Sequence, residues 1–97
     1  AGDIYSFGCL LYELVTGHPP FTGSTQQELL SKQLYATPPF ASATNAGVTP
    51  QLDRFIRELL AKRPKERPSS MAEVAAHLRN TPFLTPKARS AVSKKAD

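Results

Sequence analysis

One cysteine, one methionine and no tryptophan occur among the 97 residues. Cys9 alone builds neither a disulfide framework nor a thiolate metal cage, which suits a reducing compartment. No apolar run approaches the roughly 20 residues of a membrane span. No repeat and no β-rich window is present, so an all-α chain is expected. Charged residues make up 21% and hydrophobic ones 40% of the chain, a balance that excludes wholesale disorder. Proline is abundant: nine residues, nearly twice the usual share of about 5%, leave room only for short elements. The chain opens at Ala1 and its single methionine is Met71, so it reads as an excised or processed piece of a longer product.

The net charge of +4 is unevenly placed. Residues 1–80 hold eight Lys/Arg against seven Asp/Glu, whereas residues 81–97 hold Lys87, Arg89, Lys94 and Lys95 against Asp97. The body is therefore nearly neutral and the tail basic. That tail carries no aromatic after Phe83 and no amphipathic pattern. It is expected to be a solvated linker over 85–97, contacting neither nucleic acid nor membrane.

Four helices are predicted. The first, over 4–16, has Asp3 to cap its start and Gly17 to close its end in the left-handed conformation. Its apolar residues, Ile4 through Val15, point in all directions around the helical wheel. A helix of that kind belongs at the centre of a protein. After the rigid His18-Pro19-Pro20-Phe21 exit, Thr25 and Glu28 form a capping box for a helix over 26–34, with Leu29, Leu30 and Leu34 on one side. Thr49 caps a third helix with Pro50 at its first position, and Leu52, Phe55, Ile56, Leu59 and Leu60 follow the amphipathic spacing. Ser70 and Glu73 box the start of a fourth over 71–79, with Met71, Val74, Ala75 and Leu78 as its inner stripe.

Two stretches resemble one family. Asp3-Ile-Tyr-Ser-Phe-Gly8, continuing through Leu-Tyr-Glu-Leu-Val-Thr-Gly-His-Pro-Pro-Phe21, is similar to the central helix of the protein kinase C-terminal lobe and the loop after it. Leu59-Leu60-Ala-Lys-Arg-Pro-Lys-Glu-Arg67-Pro68-Ser69 is similar to the segment near the end of that lobe. The resemblance covers residues 1–84, and its loop and ending look like the serine/threonine branch. Tyr5 in place of the common tryptophan is similar to bacterial members.

The resemblance implies a four-helix, all-α subregion of the large lobe, a central apolar helix with three amphipathic ones, from a cytoplasmic kinase. By match, Asp3 would bond the catalytic-loop backbone, and Leu10 and Leu14 would support the apolar stack rising to the adenine. Gly8 is a further structural anchor. Arg67 would pair with the glutamate of an Ala-Pro-Glu motif. Glu13 matches a position that can contact a substrate arginine, and the 26–34 helix, with Leu29 and Leu30, matches one that docks protein substrates and regulators. Read without the family, Asp3 is an N-cap, Glu13 the wet edge of its helix and Arg67 a surface charge. Leu10, Leu14, Leu29 and Leu30 then read as core residues. His18 and His77 read as a loop residue and a helix flank, not as ligands.

The machinery of phosphoryl transfer is missing. That chemistry uses a Gly-rich loop, a strand lysine, a His-Arg-Asp loop and Asp-Phe-Gly. None occurs in the 97 residues. No catalytic, cofactor-binding or metal-binding residue is therefore assigned, and ATP and Mg²⁺ are expected only for an intact parent kinase. Two readings follow: a scaffold part of a kinase domain whose partner is the remainder of that domain, or a non-catalytic interaction module binding another protein.

Overall fold

The first helix ends where Gly17 turns the backbone to φ 80°, donating its N–H to Glu13 O at 2.8 Å. Only glycine enters that region without strain, which is why the sequence stops the helix there. The computed structural model describes residues 2–88. Its elements are α1 (Gly2–Thr16), α2 (Gln26–Tyr35), a 3-10 turn (Ala41–Ala43), α3 (Pro50–Leu59), a second 3-10 turn (Pro64–Glu66) and α4 (Met71–Asn80). The described residues hold no β-strand; one isolated bridge joins Val48 to Leu84. The protein is all-α, as its sequence predicts.

Local chemistry sets the starts of three helices. Thr25, Thr49 and Ser70 each accept, through the side-chain oxygen, the N–H three residues on. The two capping boxes close one residue further out than the pattern implies. Glu28 takes the N–H and hydroxyl of Ser24, and Glu73 those of Ser69. Asp3, by contrast, is no cap: the helix already begins at Gly2, and Asp3 lies exposed in its first turn, where its charge suits the helix dipole.

α3 supplies the core. Leu52, Phe55, Ile56, Leu59 and Leu60 are sealed from solvent on the stripe that the spacing predicts, each burial being worth about 1.5–3 kcal/mol. α1 packs on it through Ile4, Leu11 and Tyr12, with Gly8 at the closest approach. Buried Asp53 accepts the N–H of Ser42 at 3.1 Å and so ties the first 3-10 turn to α3. Asn45 donates to Val15 O at 3.0 Å, satisfying a carbonyl that the end of α1 leaves open.

Two expectations about burial fail, on α2 and α4, while the bare flank of α1 is what an all-round apolar helix with three amphipathic neighbours implies. Leu10 and Leu14 are 53% and 72% exposed, because α3 covers one side of α1 and no described element covers the other. α2 buries no residue completely: Leu29 is half-buried, while Leu30 and Leu34 are exposed. On α4 only Val74 is sealed and Leu78 half-buried, with Met71 and Ala75 facing outward. A ten-residue helix at the edge of the bundle meets its neighbours along one narrow line.

The chain then returns. Thr49 N donates to Phe83 O at 3.1 Å and Thr85 N to Gly47 O at 2.8 Å, while the Thr49 hydroxyl donates to Pro82 O. Ala88 N donates to Thr85 Oγ1 at 3.2 Å, opening a helical turn against Gly47. Thr85 and Ala88 of the expected linker thus touch the body while Pro86 and Lys87 are exposed; 89–97 are outside the described residues.

Candidate functional site

Between α1, α2 and the Ala61–Arg67 loop lies an open groove of about 400 Å³. Tyr5 and Ser6 come from α1, Leu30 and Leu34 from α2, and Lys62 and Arg67 from the loop. The loop is held in place because Pro64 stops any continuation of α3 and starts the second 3-10 turn. Its lining carries two cations and no carboxylate.

Arg67 is fixed rather than solvated. Its Nε donates to Ala61 O at 2.7 Å and its Nη2 to Lys62 O at 3.3 Å, which gives partners to two carbonyls just past the end of α3. The guanidinium also lies 5.0 Å from the Tyr5 ring centroid. Such a planar fork, held on two carbonyls, is suited to a carboxylate. Lys62 reaches the other way, donating to Gln33 O at 2.6 Å and Lys32 O at 3.3 Å, with its ammonium 4.4 Å above the Phe21 ring.

Burial governs the titration of this cluster. It raises the Tyr5 hydroxyl, with nearby Cys9 adding to the rise and Arg67 opposing it. It also raises the Cys9 thiol, against the pull of Lys62, and lowers the Lys62 ammonium, against that of Cys9. Cys9 is therefore an ordinary protonated thiol, not an activated nucleophile. Tyr5 Oη is buried with no hydrogen-bond partner among the described residues.

Of the candidate site residues named from sequence, the groove brings together two, Leu30 and Arg67. Leu29 faces a separate cavity of about 240 Å³ with Cys9 and Phe21. Gly8 is sealed against Leu59 and Leu60. Asp3, Leu10, Glu13 and Leu14 are exposed and lie outside the groove. His18 is exposed, and His77 stacks on Phe55 with centroids 5.8 Å apart. Sequence reasoning did not place Lys62 or Tyr5 in this groove. Their available signals were a lysine just past α3 and the Tyr5–Cys9 spacing that puts both on one face of α1.

The described side chains do not form a carboxylate cluster suited to Mg²⁺. Among the described residues no three His, Cys, Asp or Glu side chains converge. Asp53 is engaged with Ser42 inside the core, and Asp3 stands alone at the start of α1. No described helix is long and apolar enough to cross a membrane.

α1 thus packs one apolar side on α3 and leaves the other bare beside a loop that holds a fixed arginine. Residues 1–84 match the protein kinase domain, and the chain belongs to that family. Serine/threonine-protein kinase PknB of Mycolicibacterium smegmatis is 41% identical over 76 residues, covering 78% of this chain and 12% of that protein. PknB of Mycobacterium tuberculosis strain ATCC 25618 / H37Rv is 40% identical over the same length, with the same coverage. PknL of that strain is 41% identical over 76 residues, 78% of this chain and 19% of PknL. The chain thus spans a fifth or less of the length of these relatives.

Proposed function

We propose that this chain is a structural and docking part of a serine/threonine protein kinase large lobe and transfers no phosphate by itself. In the intact parent, ATP-dependent transfer to protein Ser/Thr with Mg²⁺ uses groups this sequence lacks. The observation that carries the reading is the bare flank of α1. Leu10 and Leu14 stand on one face at i, i+4, and burying them would contribute about 1.5–3 kcal/mol each. The remainder of the kinase domain is the partner that covers them. Arg67 receives the glutamate of an Ala-Pro-Glu segment, and the groove's cations suit that charge. Asp3 bonds the catalytic-loop backbone, and the exposed Glu13 contacts a basic substrate side chain. The α2 face bearing Leu30 docks a protein substrate or regulator in the cytoplasm.

A second reading, a non-catalytic interaction module, draws on the exposed α2 side chains Leu30, Leu34 and Tyr35. One experiment addresses both. The purified chain is incubated with labelled ATP, Mg²⁺ and a protein substrate, beside a kinase domain containing these residues together with the upstream catalytic motifs. Label is expected only from the longer protein, and Leu10→Asp with Leu14→Asp there should abolish it. Transfer by the short chain that responds to its own substitutions would refute the proposal. Full activity of the doubly substituted domain would favour the interaction module.

A further inference from the structure

We infer that Lys62 is the latch that holds α2 on the body of the protein, making α2 a hinged docking element. The inference rests on the docking reading of α2 for its use, but not for its geometry. α2 buries no side chain completely and turns Leu30, Leu34 and Tyr35 outward. Its half-buried Leu29 faces a cavity rather than a filled contact. Its own polar bonds are local: Thr25 and Ser24 close the start, Glu28 pairs with Lys32 at 3.3 Å, and Lys32 reaches Thr22 O at 2.6 Å. Hydrogen bonds that stay within residues 22–36 shape the helix without fastening it to α1 or α3.

Lys62 provides the fastening. It arrives from the end of α3, 29 residues from Gln33 in sequence, and donates to two carbonyls in the last turn of α2. Gln33 O is one of the carbonyls that the end of a helix leaves open, while Lys32 O, which already accepts Ala36 N at 2.9 Å, takes Lys62 as a second donor; both lie at the negative end of the helix dipole. The same ammonium sits over Phe21, the residue from which the chain departs toward α2. One cation therefore grips both flanks of the α2 excursion, the Phe21 ring before it and the Lys32–Gln33 carbonyls at its end. Part-burial strengthens each contact, since a charged donor in a drier setting interacts more strongly than one in water. Shortening or neutralising that side chain frees α2 while the α1–α3 interface keeps every contact.

Amide hydrogen exchange on the 97-residue chain tests this, comparing wild type with Lys62→Met and Lys62→Arg. The latch predicts that Lys62→Met speeds exchange across residues 29–35 by about tenfold or more, the loss expected for charge-assisted bonds. Amides of 52–59 in α3 should keep their wild-type rates, and Lys62→Arg should restore most of the protection of α2. Uniform acceleration in every helix would make Lys62 a general stabiliser and overturn the inference. Unchanged rates in α2 would overturn it too. Failure of the docking reading would leave these rates untouched and would show only as absent binding when Leu30 and Leu34 are offered to substrate.

Discussion

Gly8→Ala poses the sharpest test of how α1 meets α3. A Cβ at position 8 would stand 2.8 Å from Leu59 Cβ and 3.0 Å from Leu60 Cδ2. Carbon atoms rest about 3.5–4.0 Å apart, so the helices must part by the better part of an ångström. Leu59 Cβ cannot swing aside, because it is fixed to the α3 backbone, and both leucines are sealed. Overpacking of this kind costs about 1–3 kcal/mol. Against it stands the gain of alanine over glycine inside a helix, up to about 1 kcal/mol. With the full helix gain, the net expectation is a loss of up to about 2 kcal/mol. Gly2→Ala, in the same helix with nothing within 4 Å of its Cβ, should be neutral or mildly stabilising. Urea unfolding followed by circular dichroism measures both, and the difference isolates the clash. If Gly8→Ala proves as stable as Gly2→Ala, the close approach of α1 to α3 is wrong.

Two further outcomes are expected. Leu10→Gln and Leu14→Gln should each shift unfolding by no more than about 0.5 kcal/mol and reduce hydrophobic-dye binding, whereas Leu11→Ala should cost about 2–5 kcal/mol; equal losses at positions 11 and 14 would contradict the open flank. The Ser24 and Ser69 hydroxyls, followed by their N–H groups, hold the Glu28 and Glu73 carboxyls below the ordinary 4.5. Stability from these contacts is complete above about that pH and is lost as acid is added through the lower folded-state values. Helical circular dichroism should therefore fall on acidification, and the fall should shrink in the Glu28→Gln, Glu73→Gln double variant; an unaltered acid response there would exclude this cause.

Helix limits were legible because their determinants are local. Thr25, Thr49, Ser70 and Gly17 act on atoms a few residues away, and each marks its terminus within a residue or two. The α3 stripe was legible for a related reason: a helix buried along one broad face must repeat its apolar residues with the helical period. Burial on the other helices was not. Met71 has the spacing of a core residue, yet α4 lies at an edge with no neighbour there among the described residues. Leu10 and Leu14 fit a buried helix, but a pattern records what a surface is suited to meet, not whether it has met it. The contact of Lys62 with α2 was not legible because its partners, the Lys32 and Gln33 carbonyls, are backbone atoms with no residue identity to read.

The hydroxyl of Thr49 has two duties at once, accepting Leu52 N while donating to Pro82 O. Nucleating α3 and anchoring the exit from α4 are thereby made a single event, although 33 residues separate the partners. A valine there, equal in shape but mute, would lose both hydroxyl contacts together and leave the return of the chain to the Thr49 N–H on Phe83 O and the Thr85 N–H on Gly47 O. In so small a bundle one oxygen atom thus couples two distant segments directly.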